Sequence, residues 1–452
     1  MKALIKDNCR LFALFCVASV IRFGYEGFLY YPYLDDYVQY MYYPSLPIWS
    51  KVLWGGAKTA YTRPLAAIFD VFVWGSFGEN LFLAMIVLAL LYGISGVLFY
   101  CALNRSGIRT SPFFLVFYGL CPLNTEGTYW VSASSRVVFS LFLVSLGAVF
   151  LAEYIKNKRM RNIVCFAGFH FLSYWFYEQT AALSFVLCSW LALRKKKVAP
   201  LLIALFSAFA FVLWYVLLGG RGNNGARLET VELWGIFQNI SLAVSEVYYI
   251  FTSVFGNMLK NGIFRGFENI LASPIWLFII LAFAVLWYRE TKKPPFMEKE
   301  GLLLGGILFF TAFAPFYVTK NMWFNLRNTV PALLGLALVL DFLVSRLPQR
   351  AVKIITGALA AVFLLVQISE IADYTKIAKM DYETGLFLKE EYKKTGNPHL
   401  MLKGDLPEYH TQNAIYHDHI VSAAALDWGM TGVLRGLTQN PEITVQRQTK
   451  AQ

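Results

Sequence analysis

The sequence predicts an all-α polytopic membrane protein of about eleven transmembrane helices, with a small C-terminal α/β appendage outside the membrane. Three observations predict it. The 452 residues are 57% apolar and only 15% charged. The mean hydropathy is +0.51. The charged residues also collect in short segments between long apolar runs. A soluble chain carries about 25% charged residues, so composition excludes a soluble enzyme, a secreted disulfide scaffold and a disordered chain.

Spanning a bilayer core takes roughly 20 apolar residues in a helix, fewer where the protein thins. Runs of this kind lie near residues 10 to 30, 80 to 103, 112 to 125, 132 to 153, 162 to 177, 179 to 193, 198 to 218, 273 to 289, 301 to 319, 329 to 346 and 351 to 372. Lys2, Lys6 and Arg10 precede the first run and no small-x-small cleavage site follows it, so it reads as a retained helix. With the N-terminus cytoplasmic, alternate loops hold Arg105 and Arg109; Lys156, Lys158, Arg159 and Arg161; Arg194 to Lys197; Arg289, Lys292, Lys293 and Lys299; and Arg346, Arg350 and Lys353. Every dense basic cluster then falls on one side, as the positive-inside rule requires, and the C-terminus lies outside. The net charge of +12 is thus a topology signal, and no nucleic-acid partner is expected. The six cysteines lack metal-ligand spacing and form no disulfide framework.

Two loops on the outer side are long. Residues 31 to 79 hold YYPYLDDYVQYMYYPSLPIWSKVLWGG, whose Tyr and Trp favour short helices at the headgroup level. Within this loop, 63 to 77 is apolar but short and contains Asp70, which suits a re-entrant or interfacial segment. Residues 219 to 272 open with GGRGNNGAR and continue as an amphipathic stretch. The chain therefore divides into a membrane domain, 1–373, and a polar unit, 374–452, with a helix-like run at 383 to 395 and strand-like runs at 399 to 405 and 442 to 446. No internal repeat is visible.

Asp35 and Asp36 follow the first helix directly. One can take a proton from an acceptor hydroxyl while the other holds the site or a cation, and their adjacency couples their ionisation. A solvated turn is the plain alternative. Glu178 stands in LSYWFYEQTAALSF, an apolar sequence without a nearby base, and an ionisable group at membrane depth marks a functional site unless it reaches headgroup water. Glu126 lies in PLNTEGTYWVSASSR beside Trp130 and Arg136. Outer-side basic residues run against the positive-inside tendency: Lys51, Lys58, Arg63, Arg136, Arg221, Arg227, Lys260, Arg265, Lys320 and Arg327. A lipid phosphate explains some of them, because a guanidinium binds it through two parallel charge-assisted bonds. Arg63 in YTRPL and Arg327 in KNMWFNLRNTVP stand at helix entrances beside Pro and aromatics; snorkelling to headgroups is the plainer reading for any one of them. Arg22 and Glu26 are spaced to pair on one helix face in a structural role. His410, His417 and His419 have neither the spacing nor the cysteines of a zinc site. There is no P-loop, GxGxxG, GxSxG or HExxH in a suitable context.

A cytoplasmic N-terminus, the acidic pair in Leu34-Asp35-Asp36 just after helix one, surface helices after it and an outer C-terminal unit together resemble the GT-C glycosyltransferases. Within that superfamily the chain resembles the bacterial polyprenyl-phosphate-sugar-dependent enzymes, including O-antigen glucosyltransferase and aminoarabinose or mannosyl transferase relatives. The resemblance covers about residues 10 to 370 as architecture, and its specific motif is two residues long. It implies a bacterial inner-membrane enzyme of the cell envelope that moves a sugar from a polyprenyl-phosphate donor to a glycan, lipid-linked or protein acceptor on the extracytoplasmic side, with inversion. Asp35 or Asp36 matches the family's acidic position, with Asp35 preferred as general base. Arg327 and Arg63 are then the leaving-group arginines by local context, and Glu178 lines the sugar or acceptor pocket, with Glu126, Trp130, Arg136 and Lys320 as further substrate contacts. No cofactor is implied with certainty, and a divalent cation, Mg or Mn, stays open. Three readings compete. A flippase of lipid-linked sugars accounts for Glu178 and Arg22 but not for the carboxylate pair. An O-antigen polymerase or ligase would use arginines of the 219 to 272 loop. The third is a non-catalytic assembly protein.

Overall fold

Each apolar run folds as helix because a backbone removed from water must satisfy its own N–H and C=O groups. The computed structural model describes residues 2–30, 32, 36–37, 59–77, 81–219, 231–292, 299–320, 324–414, 416, 421–438, 440 and 442–448. Asp35, most of GGRGNNGAR, His417 and His419 lie outside the described residues. In chain order the helices are α1 (Lys2–Asp7), α2 (Cys9–Ile21), α3 (Pro64–Phe77), α4 (Leu81–Arg105), α5 (Pro112–Leu120), α6 (Thr125–Tyr129), α7 (Val131–Asn157), α8 (Met160–Ser173), α9 (Glu178–Arg194), α10 (Val198–Leu218), α11 (Leu233–Tyr249), α12 (Phe255–Ala272), α13 (Ile275–Glu290), α14 (Lys299–Thr311), α15 (Ala314–Val318), α16 (Leu333–Val344) and α17 (Gln349–Thr395). Strand β1 (His399–Leu402), helix α18 (Asp427–Thr438) and strand β2 (Thr444–Arg447) complete the chain.

Among the described residues, five helices are long and apolar enough to cross a membrane: α4, α7, α10, the continuous helix 233–272, and α17. Four of these fall on predicted spans. Six other predicted spans contain the shorter helices α2, α8, α9, α13, α14 and α16. The run 112 to 125 differs most. Its helix α5 has nine residues, about 14 Å of rise, and every one of them is buried. Ser111 starts it by accepting the Phe113 N–H at 3.2 Å, ahead of Pro112. Pro122 ends it by forcing Cys121 out of helical geometry.

Residues 233–272 correct the expectation of a loop containing an amphipathic stretch. They form one helix, in which α11 and α12 are joined through a π turn at Ile250–Val254. Contact register shows how it lies. On α13 and α17, Ala284 meets Gly357 and Tyr288 meets Lys353, so equal steps along the two chains in opposite directions make them antiparallel neighbours. On α12, however, Gly262 meets Val366 and Gly266 meets Leu365, so a full turn of α12 spans one residue of α17. The two helices approach closely at these glycines. A Cβ on Gly266 would lie 2.5 Å from the Leu365 carbonyl oxygen, a backbone atom that cannot turn aside. Gly266→Ala should therefore destabilise the protein by about 1–3 kcal/mol. Gly256→Ala, where nothing lies within 4 Å, should be neutral or slightly stabilising, and thermal unfolding in detergent would compare the two.

Helix α17 also corrects an expectation. The run 383 to 395 is not a separate helix: α17 continues unbroken past residue 374 to a left-handed Gly396 at φ 61°. Beyond it β1 and β2 pair in parallel, His399 opposite Thr444. With α18 they bury Leu388, Leu400, Leu402, Met430, Leu434, Ile443 and Val445. The unit is fastened by buried carboxylates of α17. Asp373 takes both arms of Arg265, the Tyr409 hydroxyl at 2.9 Å and the Gln412 N–H at 2.8 Å. Asp381 accepts from the Ala423 N–H at 2.5 Å and the Tyr37 hydroxyl at 3.3 Å.

Burial pushes the Asp381 carboxyl up to about 7 from 3.8, against those two hydrogen bonds. Between about pH 4 and pH 7 the folded chain therefore holds a proton that the unfolded chain has released. Stability contributed by this group falls as pH rises through that window and levels off above it. Unfolding measured across pH 4 to 8 should show this decline, and Asp381→Asn should flatten it.

Candidate functional site

The bundle has two chemically different ends. At one, Arg194 donates to the Ser106 carbonyl at 2.8 Å and pairs with Glu300 at 2.6 Å, while Arg105 pairs with Glu153 at 2.8 Å. This end carries the predicted basic loops. The opposite ends of α7 and α9, the latter about 24 Å away along its axis, carry the predicted site.

The site is organised around the start of α7. Trp130 is extended there (ψ 108°) and supplies no side-chain cap, so the first N–H groups of α7 need partners from elsewhere. Asp36 and Tyr30 provide them. Asp36 accepts the Ser132 N–H at 2.9 Å, and the Tyr30 hydroxyl accepts the Val131 N–H at 2.9 Å while donating to the other Asp36 oxygen. Asp36 is 0% exposed, and the helix N-terminus favours its charge. Burial, then the Asp36 charge, lifts the Tyr30 phenol well above its ordinary range and keeps it a donor.

Arg327 reaches the same place from the other side. It belongs to the turn Leu326–Thr329, which Asn328 closes: its side-chain oxygen accepts the Asn325 N–H at 2.8 Å and its own N–H donates to the Asn325 carbonyl at 3.0 Å. Its guanidinium lies 4.6 Å over the Trp130 ring. The turn is pinned to the start of α9: Asn328 donates to the Tyr177 hydroxyl at 2.9 Å and to Gln179 at 3.2 Å, and Gln179 donates back to the Asn328 carbonyl at 3.0 Å.

Arg63, just before α3, lies 4.7 Å over the Tyr177 ring and grips Glu178 with Nε–Oε1 2.8 Å and Nη2–Oε2 2.7 Å. Both side chains stay partly open, 21% and 15% exposed. Burial pulls the Arg63 guanidinium down, but Glu178 outweighs it and holds it above its ordinary value. Two turns further along α3, Asp70 pairs with Arg136 of α7 at 2.8 Å; their exposures are 1% and 18%.

Of the sequence candidates, the structure gathers Asp36, Arg63, Trp130, Arg136, Glu178 and Arg327 at this end. Glu126 is buried in α6 beside Gly127, which packs against Val330 and the Arg327 backbone, and its charge bears on the phenols of Tyr374 and Tyr416. Lys320 is exposed beyond α15. Arg22 does not take Glu26 as expected. It is fully buried and donates to Asn124 at 2.8 Å and Thr128 at 2.9 Å, because the helix tightens and stops at Gly24. No group of three His, Cys, Asp or Glu among the described residues is placed to hold a metal ion. Sequence reasoning missed Tyr30, Tyr177, Gln179 and Asn328 and treated Asp70 only as a mark of its segment. Asp70 was findable, since it is a lone acid in an apolar run by the same criterion that singled out Glu178.

Chemically, the cluster offers guanidiniums oriented by carboxylates and aromatic rings, which suits a phosphate, beside the buried carboxylate of Asp36. No family model matches the chain, and neither does any curated protein. Among solved structures, it is similar to ArnT from Cupriavidus metallidurans bound to undecaprenyl phosphate, with a TM-score of 0.47 and 14% identity over 97% of this chain and 88% of that one.

Proposed function

We propose that the chain is a membrane-embedded glycosyltransferase that takes its sugar from a polyprenyl-phosphate donor and passes it to an acceptor hydroxyl. The supporting observation is the convergence of Arg63, Arg136 and Arg327 at the start of α7, whose first turn Asp36 caps through the Ser132 N–H. The positive-inside rule makes the Arg105 and Arg194 end cytoplasmic, so the site faces outward.

In this reading Asp35 is the general base and Asp36 the anchor that sets its position. Asp35 takes the acceptor hydroxyl proton as the acceptor oxygen bonds to the anomeric carbon. The bond from that carbon to the phosphate oxygen breaks on the opposite face, which inverts the centre. Its electron pair leaves with the polyprenyl phosphate, and the guanidiniums stabilise that charge as it develops. Glu178 orients Arg63, and Trp130 carries Arg327. Glu126 and Lys320 remain for acceptor contacts, and no step passes through a divalent cation.

The test uses sealed proteoliposomes with a panel of labelled polyprenyl-phosphate sugars and an acceptor-glycan extract. The reading expects the label to reach the acceptor or water with release of polyprenyl phosphate. Labelled lipid that crosses the bilayer intact, without release, would replace the enzyme with a flippase.

A further inference from the structure

The two arginine–carboxylate pairs of the site differ in geometry. Arg63 and Glu178 form a closed fork, in which Nε and Nη2 both meet the carboxylate. Arg136 and Asp70 meet through one arm only, Nη2 to Oδ2 at 2.8 Å. The remaining oxygen of Asp70, Oδ1, and a second donor of Arg136, Nε, are both buried and have no hydrogen-bond partner among the described residues. Leaving such atoms unmatched is expensive, more so for charged groups. The Ser132 hydroxyl, one turn before Arg136 on the same face of α7, is a third buried polar group without a partner. Ser135 lies close enough to Asp70 to hydrogen-bond its carboxylate, and its hydroxyl also reaches the Ser132 carbonyl at 3.5 Å.

One ion pair thus presents an unmatched acceptor next to an unmatched donor. A hydroxyl complements both, since its oxygen accepts from Nε–H while its hydrogen goes to Oδ1. Asp70 lies seven residues after Arg63 along α3, two turns on the same face and about 10 Å along the axis, a separation that a sugar phosphate can bridge. We propose that Asp70 and Arg136 recognise a ring hydroxyl of the donor sugar, with Ser132 beside them, so that this pair selects the sugar while Arg63 and Arg327 hold the phosphate.

This inference rests on the proposed function, and the experiment separates the two. Binding to the purified full chain is measured by titration calorimetry for bare polyprenyl phosphate, for its glucosyl, galactosyl, mannosyl and aminoarabinosyl derivatives, and for monodeoxy analogues of the tightest of these. The expected result is that one glycosyl lipid binds about tenfold or more tightly than the bare lipid. A single deoxy analogue should lose that gain, and Asp70→Asn should reduce the ratio of glycosyl to bare affinity to about one. The deoxy series needs no variant, so it stands even where Asp70→Asn fails to fold. Two results overturn the inference while leaving phosphate binding intact: no glycosyl lipid exceeds the bare lipid, or every deoxy analogue binds like its parent, which makes Asp70–Arg136 a water-bridged structural pair. Failure of bare polyprenyl phosphate to bind overturns the proposed function as well.

Discussion

Arg63→Ala is expected to lower sugar transfer by about 100-fold or more, the scale seen when one donor to a developing oxyanion is removed. It should also destabilise the protein, because Glu178 would keep its charge in a largely enclosed position without its fork. Breaking a fully buried pair costs about 3–5 kcal/mol; with these side chains 21% and 15% exposed, about 1–2 kcal/mol is the appropriate scale after solvent screening. Glu178→Ala should show a similar loss of stability and a smaller loss of transfer, since it orients the guanidinium without contacting phosphate. The double variant separates the two effects. Removing both partners leaves no uncompensated charge, so the thermal midpoint should recover toward wild type while transfer stays low. Recovery of transfer in the double variant would make Arg63 a structural partner of Glu178 and remove it from phosphate binding.

The second large effect divides the adjacent carboxylates. Asp36→Ala takes the acceptor away from both the Ser132 N–H and the Tyr30 hydroxyl at a buried helix start. It should cost about 1–3 kcal/mol and lower transfer through loss of position. Asp35→Asn should reduce transfer by about 10²–10⁴, the usual contribution of a general base. Thermal midpoints and initial rates on the same preparations check this. Full transfer by Asp35→Asn, with transfer lost in a stable Asp36→Asn protein, would exchange the two roles.

What the sequence revealed follows from how each signal is encoded. Apolar run length is local, so the helices are legible, and so is the end of α5, because Pro122 acts on the residue before it. Glu178, Arg63 and Arg327 stand out for the same local reason: each is a charge where charges are rare. Which charge meets which is not local. Arg63 and Glu178 are separated by 115 positions and Asp36 and Ser132 by 96, and only the packing of α3, α7 and α9 brings them together. The boundary at residue 374 reads differently in sequence and structure because composition reports where the chain leaves apolar surroundings. A helix without a breaker passes that point unchanged, as α17 does. The close approach of α12 to α17 depends on Gly262 and Gly266 facing Val366 and Leu365, which a glycine spacing alone does not specify.

The central claim is that the arginines at the start of α7 hold the phosphate of a polyprenyl lipid. Its most direct test is the position of the phosphorus atom in an experimental structure of the full chain with polyprenyl phosphate bound. The account predicts it within hydrogen-bond reach of Arg63 or Arg327. A phosphate bound at the Arg105 and Arg194 end, or touching neither of the two, would contradict it.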